Sequence, residues 1–311
     1  MRIVSRAYNG DEDFTSVMTF LRETFSRTNS YQNWFPDRFE DNLGRFEGSH
    51  IICTHADDIR IWEETNDIVT PSQRRIVALA NPESPTDYFI QIDPTYSPLE
   101  REILKWVEKH CLEKKKDASK KEMLKIHTIE GNPARELLLS EFGYQKGETS
   151  SYLRLRPINL PIPEIDDPEN YEIRSIKGRS DYAQLASVIR LVFGHGEWFN
   201  AETYAGITRC SFYKRDLDLV AVASDGTFAS FCTFRMDPVS KITNLEPVGT
   251  HPKHRKLGLA KALIFMGLKR AIRYDPTLLY VGAANTPAAN RLYDSAGYTE
   301  KFAEHCWHKE I

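Results

Sequence analysis

A proline-rich segment in the middle of the chain places the strongest limit on its fold. Residues 157–168 carry proline at four of twelve positions. Because proline fixes φ and lacks a backbone N–H group, this composition favours an extended connector over a helix or a central strand. At 311 residues the chain is also about twice the usual domain size. We therefore predict a first domain over residues 1–156, a linker over 157–168 and a second domain over 169–311.

The order of predicted elements is the same on both sides of this segment. A short strand at 2–5 and an amphipathic helix at 14–25 are repeated at 172–175 and 182–193, which indicates an internal duplication. Asp225-Gly226 favours a tight hairpin turn between the next two strands. The later elements are predicted as strands at 242–250, 278–283 and 302–308 and helices at 259–274 and 287–296. The fold class is thus α/β, with a mixed sheet flanked by helices in each half.

Composition and charge argue against several classes of function. Apolar residues make up 41% and charged residues 27% of the chain, as in ordinary globular proteins. The net charge is −3 and the basic residues are scattered, so no broad positive surface for nucleic acid is predicted. Residues 1–6 lack the apolar core of a signal peptide, and no stretch reaches the ~18 apolar residues of a membrane span. We expect a cytoplasmic protein without a nucleic-acid or membrane partner.

No metal site is predicted either. The five cysteines are widely spaced, odd in number and without a Cys-x-x-Cys motif, so reduced structural thiols are expected. His251 and His254 lie three residues apart, but Pro252 stands between them and no third ligand is near in sequence.

A loop at 251–260 has the composition of an anion site between a predicted strand and a predicted helix. Backbone N–H groups and the positive end of the helix dipole favour phosphate at such a place. Gly258 permits close approach of a ligand, Ala260 leaves space, and Arg255 and Lys256 add positive charge. Neither a Walker loop nor a Gly-x-Gly-x-x-Gly fingerprint occurs in the chain. A surface turn with one glycine is the purely structural alternative.

Two segments together resemble the GNAT superfamily of acyltransferases. The loop is similar to the family's pyrophosphate motif Arg/Gln-x-x-Gly-x-Gly/Ala through Arg255, Gly258 and Ala260. One predicted strand later, residues 285–298 resemble the motif Asn-x-x-Ala-x-x-x-x-Tyr-x-x-x-Gly-Phe/Tyr; the matching residues are Asn285, Ala288, Tyr293, Gly297 and Tyr298. The resemblance covers about 242–300, and elsewhere only the order of elements is similar.

This resemblance implies two tandem GNAT-like domains and an acetyl-CoA-dependent N-acetyltransferase. The acyl group would pass to a primary amine by direct attack in a ternary complex. Pro247 donates no hydrogen bond, so its strand is expected to be partly unpaired, as the family requires where the pantetheine arm enters between two strands. The resemblance places acetyl-CoA against Val248, Thr250, Arg255, Lys256, Leu257, Gly258, Leu259, Ala260, Asn285, Asn290 and Tyr293.

Acylation of an amine requires a base and a proton for the departing thiolate. We predict Glu246 as the general base, and we expect residues 246, 248 and 250 to share a face because side chains alternate along a strand. Tyr293 matches the family's usual proton donor. An exposed carboxylate or a partner for Arg235 is the alternative for Glu246, and aromatic packing is the alternative for Tyr293. His195 is expected at the rim of the acceptor site.

The first half retains the pattern of elements without the motif residues. When Pro94 is aligned with Pro252, Ser97 replaces Arg255 and Glu100 replaces Gly258. A carboxylate facing the phosphate site would repel the ligand. Leu139 stands where the second motif has tyrosine. We predict a degenerate domain without a cofactor site and one CoA per chain, although a different ligand remains open.

The identity of the acceptor is not predicted beyond a small-molecule or peptide amine. Acyl chain length and the choice between a monomer and a homodimer also remain open. The competing function is a non-enzymatic acyl-CoA-binding regulatory module.

Overall fold

The computed structural model describes residues 2–43, 56–65, 74–115, 117, 120–164 and 168–311. In the first half, the strands are β1 (Arg2–Ala7), β2 (Arg60–Thr65), β3 (Arg75–Ser84), β4 (Asp87–Ile92), β5 (Met123–Ile129) and β6 (Gln145–Arg156), and the helices are α1 (Gly10–Thr28), α2 (Pro36–Leu43), α3 (Glu100–Lys114) and α4 (Pro133–Glu141). In the second half, the strands are β7 (Tyr171–Ser175), β8 (Asp218–Ala223), β9 (Phe228–Met236), β10 (Ile242–Thr250), β11 (Leu278–Ala284) and β12 (Glu300–Glu310), and the helices are α5 (Arg179–Phe193), α6 (Ala201–Ile207), α7 (Leu259–Ala271) and α8 (Pro287–Ser295).

The described residues form two compact units that differ from the predicted continuous domains. The first unit contains those of 2–43, 56–151 and 302–311, and the second those of 152–301. Strand β12 belongs to the first unit because it pairs antiparallel with β5 from Glu304↔Ile129 to Glu310↔Met123. Its Trp307 is buried in that unit's core. The boundaries predicted at 156 and 169 miss this arrangement, since a strand pattern does not specify the pairing partner.

The first unit has the strand order β1-β2-β3-β4-β5-β12. All neighbours are antiparallel except β4 and β5, which are parallel. Strand β3 contributes to two separate cores: Val77, Ala78 and Ala80 lie in one, and Ile76 and Leu79 lie in the other. One core contains Ile103 and Leu104 of α3, and the other contains Val17 of α1 and Phe39 of α2.

The second unit has the order β6-β11-β10-β9-β8-β7, where β6 contributes residues 152–156. Strands β7 to β10 are antiparallel, and β10 runs parallel to β11. Helices α7 and α8 contribute Leu263 and Tyr293 to the core on one face, and α5 and α6 contribute Ile189 and Tyr204 to the core on the other. The predicted fold class, a mixed sheet flanked by helices in each half, is confirmed.

The predicted linker is held against the second unit over its described residues, 157–164 and 168. The Arg156 guanidinium donates to the carbonyls of Leu160 and Pro161 at 3.0 Å each. Ile162 packs against the core under α7. Residues 165–167 lie outside the described part of the chain. Among the helices that the structure describes, none has the length and apolar character needed to cross a membrane.

Candidate active site

Strands β10 and β11 of the second unit are paired only where they begin. Their register covers three residue pairs, from Ile242↔Leu278 to Asn244↔Tyr280. On its other side, β10 remains paired with β9 as far as Thr250↔Ser230. Over these two fully described strands, the edge of β10 that faces β11 is therefore unpaired beyond Asn244. The sequence-based expectation of a partly unpaired strand at Pro247 agrees with this geometry.

Two backbone donors point toward this unpaired edge. The N–H of His251 donates to the Ala229 carbonyl on the β9 side at 2.9 Å. Because N–H groups alternate between the two edges of an extended strand, those of Thr250 and Val248 point to the β11 side. The Thr250 hydroxyl contacts that of Ser230 at 3.0 Å.

An irregularity in β10 separates Glu246 from the residues that follow it. The register with β9 shifts between Leu245 and Val248, yet both of these side chains contact the core under α7. The prediction that residues 246, 248 and 250 share a face is therefore wrong at residue 246, because the strand does not alternate regularly through Pro247. Glu246 is exposed, and its Oε2 accepts a hydrogen bond from Asn244 Nδ2 at 3.2 Å.

The loop after β10 ends at an open helix N-terminus. Gly258 is the N-cap of α7 with φ +79° and ψ −2°, a conformation that L side chains rarely adopt. A Cβ built on Gly258 meets no heavy atom of a described residue within 4 Å, so these residues leave the space above it open. Helix α7 has no acidic residue in its first turn. The first-turn N–H groups have no acceptor within the helix, and the helix dipole adds positive potential there.

The side chains of this loop divide between solvent and core. Arg255, Lys256 and Leu257 are exposed, and Ala260 is half-buried. Arg255 Nε donates to the Thr250 carbonyl at 3.4 Å. Leu259 is buried in the core under α7, so only its backbone N–H faces outward. The predicted cofactor residues at 255–260 therefore lie together at one helix end.

Helix α8 carries the second motif. Thr286 caps it by accepting from the Ala289 N–H at 3.2 Å, and Pro287 begins it. Asn290 Nδ2 donates to Asn285 Oδ1 at 3.1 Å, so these two predicted cofactor residues contact each other. Asn290 Oδ1 also accepts from Arg154 Nη2.

Tyr293 is buried with only 8% of its surface exposed. Its ring meets that of Tyr298 edge to face, with centroids 6.2 Å apart. Its hydroxyl makes no hydrogen bond to any residue that the structure describes. Burial, the Cys232 thiol and the Glu246 carboxylate raise the pKa of Tyr293, and Arg154 opposes them. The phenol therefore keeps its proton at neutral pH, and Glu246 is close enough to act on it electrostatically.

Arg154, on β6, is a functional candidate that the sequence reasoning missed. Its side chain is fully buried. Nη1 donates to Asp294 Oδ1 at 2.7 Å and to the Tyr298 carbonyl at 3.0 Å, and Nη2 donates to Asn290 Oδ1. The signal was present as two arginines alternating with leucines at 152–156, but it lay at the assumed end of the first domain.

His195 lies in an aromatic group after α5. Its ring is within 5.7 Å of the ring centroids of Phe193, Trp198 and Phe199. Burial lowers the pKa of His195. Helix α5 approaches β10 closely, since a Cβ on Gly249 would fall 2.9 Å from Val192 Cγ1. A place for His195 at the rim of the acceptor site stays a prediction.

In the first unit, side chains cover the corresponding strand edge. Strand β4 pairs with β5 only at Asp87↔Lys125 and Tyr88↔Ile126. Asn33 Oδ1 accepts from the Ile92 N–H at 2.8 Å, and Asn33 Nδ2 donates to the Ile92 carbonyl at 3.0 Å. By the alignment of Pro94 with Pro252, Ile92 corresponds to Thr250. The amide of Asn33 thus occupies the backbone groups that are exposed in the second unit.

Arg135 completes this arrangement. It donates to the Ile90 carbonyl at 3.3 Å and forms two hydrogen bonds with Glu100, at 2.8 and 3.1 Å. Both side chains are buried. The expectation that Glu100 faces a phosphate site is therefore wrong, because its carboxylate points inward and is paired with Arg135.

Metal ligands and disulfides are not found in the part of the chain that the structure describes. No group of three or more His, Cys, Asp or Glu side chains is arranged to hold a metal ion there. None of the described cysteines, Cys111, Cys210, Cys232 and Cys306, forms a disulfide. Cys53 lies outside the described residues.

A comparison with protein families matches residues 190–298 to the Acetyltransferase (GNAT) family. This segment of the second unit is similar to a GNAT domain. The matched segment contains the unpaired part of β10, the loop before α7 and all of α8. The sequence-based recognition of this superfamily is confirmed.

Known proteins support the same family and a tandem fold. The chain is 28% identical over 186 residues to a mycothiol acetyltransferase of Acidothermus cellulolyticus, a match that covers 53% of this chain and 56%, about half, of that protein. Among solved structures, a GCN5-related N-acetyltransferase from Sphaerobacter thermophilus matches 99% of this chain and 95% of its own with a TM-score of 0.65 and 17% identity. A tandem GNAT protein from the clavulanic acid biosynthesis pathway matches 99% and 98% with a TM-score of 0.65 and 13% identity. At these identities the two structures show a shared fold.

Proposed function

We propose that the second unit is an acetyl-CoA-dependent N-acetyltransferase that acts on a primary amine. The observation that carries the proposal is the unpaired edge of β10, which leads to the open N-terminus of α7 and lies beside the buried phenol of Tyr293. The family match supports an acetyltransferase. The amine acceptor and the direct attack in a ternary complex are our inference from Glu246 and Tyr293.

The residues present fit acetyl-CoA. The N–H groups of Val248 and Thr250 would hold the pantetheine amides in the manner of a neighbouring strand. The pyrophosphate would lie at the N-terminus of α7, where the space above Gly258 is open and the charges of Arg255 and Lys256 are exposed. Leu257, Leu259 and Ala260 would contribute backbone N–H groups, whereas Asn285 and Asn290 would shape the wall on the α8 side.

The chemistry divides between two side chains. Acetyl-CoA supplies a thioester whose C–S bond is replaced by a C–N bond when an amine attacks its carbonyl carbon. Glu246 would accept the proton that the amine nitrogen loses, directly or through water. Tyr293 Oη would donate the proton that the sulfur needs to leave as a thiol. An N–H group on the exposed edge of β10 would stabilise the negative charge on the carbonyl oxygen.

The first unit is proposed to lack a cofactor site. The support is that Asn33 and Arg135 already occupy the backbone groups of Ile92 and Ile90. A pantetheine arm would have to displace both side chains, one of which is buried and paired with Glu100. One CoA per chain is the consequence.

A screen of amines tests the proposal. The purified full chain is incubated with acetyl-CoA and a panel of small-molecule amines, amino acids and peptides, and released thiol is measured. Transfer to at least one amine, with the acetylated product confirmed by mass spectrometry, is expected. Tight binding of acetyl-CoA with no transfer to any of them would favour the non-enzymatic regulatory module. Failure to bind acetyl-CoA would contradict both functions.

A further inference from the structure

Arg154 connects β6 to the helix that carries Tyr293. Its guanidinium contacts Asn290 and Asp294, which lie one turn apart on α8 and on either side of Tyr293 in sequence. A third contact, to the Tyr298 carbonyl, lies just past the end of the helix. One side chain thus fixes the rotation and the end of the segment that presents the phenol.

The charge of Arg154 is only partly neutralised. Asp294, its one carboxylate partner among the described residues, is 45% exposed and also contacts Lys301 at 3.0 Å. Arg154 Nε is buried with no hydrogen-bond partner among the described residues. Arg154 and Lys301 therefore share the Asp294 carboxylate, and the buried Arg154 guanidinium retains positive potential. Burying a charge is costly, so it needs compensating contacts of this kind.

We infer that Arg154 is a positioning residue for proton donation by Tyr293, holding α8 in place and stabilising the phenolate that remains once the proton has moved to sulfur. This inference rests on the proposed function. The charged or titratable groups that act on Tyr293 are Cys232 of β9, Glu246 of β10 and Arg154 of β6. Of these, Arg154 alone favours the ionised phenol, and the phenolate would regain its proton from solvent after the thiol leaves.

The chain offers a matched control in Arg156. It lies two residues along β6, is also buried, and donates to the carbonyls of Ala296, Leu160, Pro161 and Pro157. Its partners are therefore backbone groups, and it is not among the groups that shift the pKa of Tyr293. Loss of a buried arginine from β6 can thus be separated from loss of the contact with the proton donor.

The test is a double-mutant cycle measured with acetyl-CoA and the best amine. Arg154→Met should lower kcat about 10-fold or more and leave KM for acetyl-CoA within about 2-fold, because the contact matters when the proton moves. Arg154→Lys should recover part of kcat, since it keeps the charge but loses the planar fork. In a Tyr293→Phe background, Arg154→Met should change kcat less than about 2-fold. Arg156→Met should leave kcat near that of the wild type.

Several results would overturn the inference. One is an unchanged kcat in Arg154→Met, and another is an equal loss in both Tyr293 backgrounds. An equal loss in Arg156→Met would reduce the role of Arg154 to general packing. If Arg154→Met does not fold, the cycle is run with Arg154→Lys. The same loss of kcat from Arg154→Lys in the wild-type and Tyr293→Phe backgrounds would likewise overturn the inference. A wild-type chain that transfers to no amine would instead reject the proposed function, and the inference with it.

Discussion

Replacement of Tyr293 by phenylalanine should lower activity without lowering stability. The Tyr293 ring is buried, but its hydroxyl makes no hydrogen bond to a described residue, so its removal leaves no partner unsatisfied. The fold should therefore be as stable as the wild type, within about 1 kcal/mol. Loss of a general acid typically costs at least about 100-fold in rate, which corresponds to about 2.7 kcal/mol in the activation barrier.

Tyr298→Phe is the control for this experiment. Tyr298 is fully buried and contacts Tyr293 edge to face, and its hydroxyl has no hydrogen-bond partner in the described part of the chain. Its removal should stabilise the fold by about 1 kcal/mol or leave it unchanged. Activity should stay near that of the wild type, because this hydroxyl lies deeper in the core.

The assay combines steady-state kinetics with chemical denaturation of both variants. Released thiol gives kcat and KM for acetyl-CoA, and denaturant titration gives the free energy of unfolding. A kcat loss in Tyr293→Phe with unchanged stability is expected. Equal activities of Tyr293→Phe and Tyr298→Phe would refute the assignment of a proton donor and make Tyr293 a packing residue.

Three further predictions concern charge. Gly258→Glu should weaken acetyl-CoA binding more than about 100-fold, because it places a carboxylate at the proposed phosphate site. Gly258→Ala adds only the strain of a side chain at φ +79° and should weaken binding far less. Equal calorimetric affinities of the two variants would contradict a phosphate site at Gly258. Glu246→Gln should depress kcat/KM and change the shape of its pH-rate profile, and a loss with an unchanged profile would indicate acceptor binding instead. His127 Nε2 is hydrogen-bonded to Asp87 at 2.6 Å, and its Nδ1 lies 3.2 Å from Glu304. Burial lowers the pKa of His127, but the two carboxylates outweigh burial and raise it to about 9. Because this pKa exceeds the usual 6.5, protonated His127 stabilises the fold fully below about pH 6.5, and this stabilisation is lost as pH rises through 9. The free energy of unfolding of the wild type should therefore fall by up to about 3 kcal/mol between about pH 6.5 and 9. In His127→Gln this decrease should be absent.

Local patterns in the sequence predicted most of the second unit. The hairpin at Asp225-Gly226, the strand through Pro247 and the helix that begins after Gly258 all lie where the sequence places them. These elements are specified by turn residues, caps and apolar spacing within a few positions. The loop proposed to hold the cofactor was singled out for the same reason, because a glycine and two cations at a strand-to-helix junction favour an anion.

Non-local contacts account for what the sequence did not predict. The pairing of β12 with β5 depends on which strand edge is available, and no local pattern records this. Glu100 was expected to repel a phosphate, but its partner Arg135 lies 35 positions away in sequence. Asn33 and Arg154 were missed because each acts on a strand or helix that is far from it in the chain. Regular alternation failed at Glu246 because the register shifts beside Pro247.

Calorimetric titration of the full chain with acetyl-CoA tests the central claim most directly. We expect one equivalent per chain in the wild type and none in Gly258→Glu. We also expect one equivalent in Ser97→Glu, which places a carboxylate on the exposed loop of the first unit, at the position that corresponds to Arg255. Two equivalents in the wild type, or one equivalent that survives Gly258→Glu and disappears in Ser97→Glu, would contradict the assignment of the acyl-CoA site to the second unit.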